Sequence, residues 1–158
     1  MIQQDATTSE SHTELTEFAP VQVSGGTLPR LHQVVWCRLP EGDGQTPGRS
    51  VRPALVRGSK HNPTTRRGAL LVSHGTTKLD SKNCAAVDLI IQNAQRLYDL
   101  KLPMAVRFDL GLTDWLPWCR EFFAPPDHYP YIIAGSLSEA ERARLRDMLK
   151  RRGIIQEL

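Results

Sequence analysis

Lysine and arginine are missing from residues 1–27, where Asp5, Glu10, Glu14 and Glu17 are the only ionised side chains. The whole chain is formally +3, so setting those four negative charges aside leaves +7 on the remainder. That balance favours a polyanionic or acidic partner for the body of the protein, although a basic surface alone describes a steering field and not an activity. Long apolar runs are also missing: nothing approaches the ~18 residues of a membrane span, and the first residues lack a basic start followed by an apolar stretch. The expectation is a cytoplasmic protein with no membrane association. Cysteine is scarce. Cys37, Cys84 and Cys119 are odd in number and widely spaced, which argues against a disulfide framework or a zinc site and for reduced thiols.

What is present divides the 158 residues into an arm and one domain. Residues 1–27 are rich in Ser, Thr, Gln and Glu and end in Gly25-Gly26, a composition with too little apolar surface to offset its ordering entropy. They read as an acidic, mobile or loosely docked arm, with 28–158 as the folded domain. An acidic tether on a basic body is expected either to cover the basic groove weakly or to be an inert tail.

Within the domain, "QVVWCRL" (33–39) has the enrichment of a strand, and "PEGDGQTPGRS" (40–50) is a turn-rich loop. "VRPALVRG" follows as a strand whose Pro53 must lie at an edge or at an end of regular pairing. "KHNPTTRR" reads as a loop and "GALLVSH" as a buried strand stopped by "GTTK". "AAVDLII" (85–91) reads as a strand, "QNAQRLYDL" (92–100) as a short helix with Ala94, Leu97 and Tyr98 at helical spacing, and "MAVRFDL" (104–110) as a strand by alternation. An irregular aromatic passage from Trp115 to Phe123 precedes a last strand, "YIIAG". Ser138 and Glu141 form an S-x-x-E capping box, Leu145, Met148 and Leu149 mark one face, and Gly153 marks a stop, which predicts a helix over 139–152. Five or six short strands with two helical pieces suggest a curled antiparallel sheet or open barrel carrying helices.

Three pieces in order, "VVWCRLP" with its Gly-rich loop and "RPALV", then "VSHGTTK", then "VRFDL", resemble the PemK/MazF-like toxin family of bacterial toxin–antitoxin pairs. The resemblance runs from about Val34 to Leu158 and leaves the acidic arm outside. It implies an SH3-like barrel, a homodimer, a cognate antitoxin protein as partner, and cleavage of single-stranded RNA without metal or cofactor. Such cleavage needs a base for the 2′-hydroxyl proton, an acid for the departing 5′-oxygen, and cationic donors for the charge on the phosphorane; it yields a 2′,3′-cyclic phosphate.

Arg52 offers a planar fork to phosphate oxygens, or is a surface arginine beside a turn. Thr76 offers a hydroxyl to the scissile phosphate, with Thr77 and Lys78 beside it as candidate RNA-binding residues, or Thr76 and Thr77 are ordinary turn residues after Gly75. Arg107 and Asp109, two apart on a strand, share a face. They are either a surface ion pair or, as the resemblance implies, charge stabiliser and general base. His74 has the titration range of a base, which leaves that role open between Asp109 and His74. Trp115, Trp118, Phe122 and Phe123 are stacking surfaces for unpaired bases or core residues, and the basic residues of the last helix are a phosphate track or ordinary solvation. Two rival functions stand beside the endoribonuclease: a non-enzymatic protein-binding member of the same fold, like its gyrase-poisoning relatives, and a nucleic-acid-binding module without cleavage.

Overall fold

A computed structural model describes residues 28–42, 46–79 and 88–153. The arm 1–27, Cys84 and residues 85–87 of the expected 85–91 strand lie outside these described residues. In chain order the elements are β1 (Gln33–Cys37), β2 (Arg52–Asn62), β3 (Arg67–Thr76), β4 (Leu89–Ile91), α1 (Ala94–Asp99), β5 (Val106–Pro117), β6 (Ile133–Ser136) and α2 (Glu139–Arg151). The strands form one antiparallel sheet in the order β4-β5-β3-β2-β1-β6, curled into a half-barrel with a C-terminal helix. This is the small barrel of five to six strands that the sequence predicts. No helix among the described residues is long and apolar enough to cross a membrane.

The run Val34-Val35-Trp36-Cys37 has no polar face because both sides of β1 are covered. Val34 and Trp36 join Leu55, Leu89, Ile91, Val106, Phe108, Leu145 and Leu149 in one core, which the helices close. Val35 and Cys37 point the other way and meet Ala54, Val56, Leu70, Val72, Leu116, Phe122 and Phe123 in a second. Strands buried on both faces read as continuous apolar runs. Phe108, Phe122 and Phe123 are fully enclosed, and such rings contribute roughly 1.5–3 kcal/mol each through burial. Cys37 and Cys119 are free and buried; burial pushes the Cys119 thiol up to about 11 and raises that of Cys37 further, so both are inert.

Two strands exceed their sequence outlines. β2 and β3 extend through "KHN" and Arg67 into a hairpin, where Asn62 Oδ1 accepts the Thr64 N–H and holds the turn. β5 continues to Pro117, but its alternation breaks after Leu110. One step of β3, from Ser73 to His74, faces the longer step from Thr113 to Asp109, so residues 110–112 bulge. Pro53 stands just before the pairing of β2 with β3 begins at Ala54, where its missing donor is tolerated.

The last helix follows its sequence signals closely. Ser138 and Glu141 form the capping box, Leu145 and Leu149 are buried, and Gly153 sits at a φ of +73° just past the end. Glu141 does more than cap. Arg96 of α1 grips it with Nε at 2.9 Å and Nη2 at 2.8 Å, a bidentate pair that ties the two helices together. Burial alone would raise the Glu141 pKa, but the hydrogen bonds from Arg96 and Ser138 prevail and hold it below 4.5.

A cationic cleft and a buried ion cluster

The ends of β2 and β3 open onto a cleft of about 290 Å³ lined by the polar Arg52, Thr76, Thr77 and Lys78 together with apolar residues that include Trp36, Pro103 and Met104. The two strands approach closely here. A Cβ on Gly75 would lie 2.2 Å from the Pro53 carbonyl oxygen, so only glycine fits, and its absent side chain lets Arg52 and Thr76 share one opening. Continuing the pairing Ala54↔His74 by two residues sets Arg52 level with Thr76.

Arg52 is loosely held. Its side chain is 51% exposed, and it pairs at 3.8 Å with the Glu41 carboxylate, which is itself exposed. Thr76 Oγ1 accepts the Lys78 N–H at 3.2 Å, which fixes the turn and leaves the hydroxyl proton available to an incoming oxygen. The cleft therefore presents two cations, two hydroxyls and an apolar wall. That inventory suits a phosphodiester carrying a base. No carboxylate or imidazole lines it among the described residues.

Arg107 lies behind the cleft and not in it. It faces Thr76 across the sheet, is 8% exposed, and donates from Nε to the Lys78 carbonyl at 3.0 Å and from Nη1 to Asp88 Oδ2 at 2.8 Å. Asp88 is also buried; its Oδ1 accepts from Arg152 Nη2 at 2.5 Å and from the Leu110 N–H at 3.0 Å. Asp109 completes the cluster at 3.7 Å from Arg107 and 4.0 Å from Arg152, with Oδ1 held by the Gly111 N–H. The Arg-x-Asp pair belongs to a group of two arginines and two aspartates, with Arg107 and Asp88 buried and Asp109 and Arg152 half-buried at its edge, that joins β4, β5, the Lys78 turn and the end of α2.

His74 shares a sheet face with Asp109, its register partner, but its ring binds elsewhere. Nε2 lies 2.6 Å from Asp114 Oδ2, and the His74 side chain is 13% exposed against 31% for Asp109. Neither lines the cleft.

The aromatic expectations divide. Trp118 is 6% exposed, its ring centroid 4.7 Å from that of Phe123, so it is a core residue with no face for a base; Phe122 and Phe123 are core residues as well. Trp115 is exposed and carries the Lys60 ammonium 4.3 Å from its ring centroid. It pairs with Leu71, five residues along β3 from Thr76, or about 16 Å at strand spacing, well away from the cleft. On α2, Arg142 binds the Leu137 carbonyl, Arg151 pairs with Asp147, and Arg144, Arg146 and Lys150 are exposed.

Sequence reasoning missed Asp88, Arg152 as its partner, and the apolar lining of Trp36, Pro103 and Met104. Only the oddity of an Asp inside the apolar "AAVDLII" run pointed to Asp88. No family model matches the chain, and no curated relative matches it either.

Proposed function

We propose that the protein is an endoribonuclease of the toxin–antitoxin kind that needs no metal, with the cleft between β2 and β3 as its site. The observation that carries this reading is the meeting of Arg52, Thr76, Thr77 and Lys78 at one opening beside an apolar wall. RNA brings its own nucleophile, the 2′-hydroxyl, so the protein has to orient the strand and stabilise charge on the phosphorane. Arg52 and Lys78 supply that charge and the Thr76 hydroxyl supplies a positioned donor, while the exposed Pro103 and Met104 offer an apolar surface to a base. Arg107 acts as a positioning residue through its bond to the Lys78 carbonyl. Neither candidate base lines the cleft; Asp109 is the more accessible of the two, and the reading requires the strand to run past the cleft to reach it. On this reading the working unit is a homodimer, and an acidic segment of an antitoxin covers the cleft.

The test is incubation of the protein with mixed RNA in the presence of a chelator, followed by mapping of the ends. Fragments ending in a 2′,3′-cyclic phosphate support the reading, and Asp109→Asn compared with His74→Gln assigns the base. The lack of a carboxylate or imidazole in the cleft lining favours a second reading, single-stranded nucleic-acid binding without cleavage. Tight binding with intact RNA would select it.

A further inference from the structure

Beside the cleft lies a strip of tyrosines. Tyr98 is 73% exposed and Tyr131 is 65% exposed, the two most exposed large apolar side chains among the described residues. Tyr129 sits between them in contact terms: its ring meets Tyr131 edge to face at 5.5 Å, and the Lys101 ammonium stands 5.9 Å from it and 5.1 Å from the Tyr98 ring. The strip is built rather than loose. Lys101 occupies a left-handed conformation at φ 58° after α1 and donates its N–H to the Tyr98 carbonyl, and Tyr129 packs against the first core.

Its connection to the cleft runs through named contacts. Trp36 lines the cleft, His128 meets Trp36 edge to face at 5.2 Å, and His128 Nε2 lies 2.7 Å from the Lys101 carbonyl oxygen. Pro103 and Met104, two and three residues past Lys101, belong to the cleft wall.

We infer that Tyr98, Lys101, Tyr129 and Tyr131 form a stacking platform for unpaired bases, so that the ligand is a single strand longer than the cleft itself holds. This rests on the nucleic-acid reading of the cleft. Exposed tyrosine faces are sequence-tolerant partners for bases. Lys101 adds a cation on the strip to Arg52 and Lys78 in the cleft, which selects a polyanionic strand over a neutral apolar partner. Stacking of one base on one ring is worth about 5- to 150-fold in affinity.

The experiment uses the full chain and labelled single strands of 4 and 12 nucleotides with 2′-O-methyl groups throughout, which leave no nucleophile for cleavage. Anisotropy at low salt gives the ratio of the two affinities for the wild type, for Tyr98→Ala/Tyr131→Ala and for Tyr98→Phe/Tyr131→Phe. Thermal melting confirms folding, as both side chains project into solvent. The expected result is a preference of the wild type for the longer strand that falls about fivefold or more in the alanine variant and is restored in the phenylalanine variant. An unchanged ratio, or a wild type with no preference for length, overturns the platform. So does a change of oligomeric state on alanine substitution, because the strip would then be a protein contact. If the ratio behaves as expected and unmodified RNA stays intact, cleavage falls and the platform stands; if RNA is cleaved and the ratio does not move, the platform alone falls.

Discussion

Arg52 and Arg107 lie close together at one end of the sheet, yet they live in opposite electrostatic conditions. Arg52 is half exposed, with a distant and exposed carboxylate for a neighbour. Arg107 is buried, shares Asp88 with Arg152, and spends its Nε on a backbone carbonyl. An arginine that meets an incoming phosphate must keep its fork free until the ligand arrives, whereas a buried arginine is tolerable only when its charge is matched and its donors are engaged. On the proposed reading the difference separates a group that binds from a group that builds the site. Arg107 fixes the Lys78 turn, and the turn delivers Thr76, Thr77 and Lys78 to the cleft.

The contrast yields its largest effect at Asp88. Asp88→Ala removes the buried carboxylate shared by the buried Arg107 and the half-buried Arg152, and breaking the buried Arg107–Asp88 pair costs about 3–5 kcal/mol, or roughly 6–20 °C in Tm. Thermal melting measures this directly; a shift of a degree or two would mean that the cluster is wet and dispensable. Next in size on the proposed reading, Thr76→Val removes both the acceptor that fixes the Lys78 turn and a donor to a charged oxygen, the donor alone worth about 1.5–3 kcal/mol of barrier or a rate loss of roughly 10- to 150-fold. Single-turnover cleavage of one RNA reads it.

A smaller effect follows from Glu141. Its folded pKa lies below the unfolded value of 4.5, so the stabilisation is complete above that value and is lost as pH falls through the folded pKa. Glu141→Gln should flatten this part of the acid stability curve, which urea midpoints from pH 6 downward would reveal. The smallest effect belongs to the exposed pair. Glu41→Gln should change stability by ~0–1 kcal/mol, less in high salt, and a larger loss would show that Arg52 is anchored and not free.

How much of this was legible in the sequence depended on whether the determinant was local. Ser138, Glu141 and Gly153 specify the last helix within its own span, and β1 announces itself by four apolar residues in a row. That Arg52 and Thr76 share one opening is set by the pairing of β2 with β3 and not by any local pattern. What decides the state of Arg107 is remote: Asp88 lies 19 residues before it, and Arg152 is 64 residues beyond Asp88. Two-residue alternation puts Arg107 and Asp109 on one face but says nothing of what packs over that face. Likewise Trp118 and Trp115 look equivalent as letters, and only the end of β5 turns one into the core and leaves the other outside. The bulge at residues 110–112 hid the true length of β5 because it interrupts the alternation on which strand reading depends.

On the proposed reading the open arginine carries the chemistry while the buried one carries the architecture, and a paired measurement on Arg52→Ala distinguishes the two roles. Its cleavage rate on a single RNA and its Tm are taken side by side with those of the wild type. Loss of one positioned charge donor predicts a rate about a hundredfold to a thousandfold lower, with stability changed by no more than about 0.5 kcal/mol. A wild-type rate from the folded Arg52→Ala protein would contradict the account.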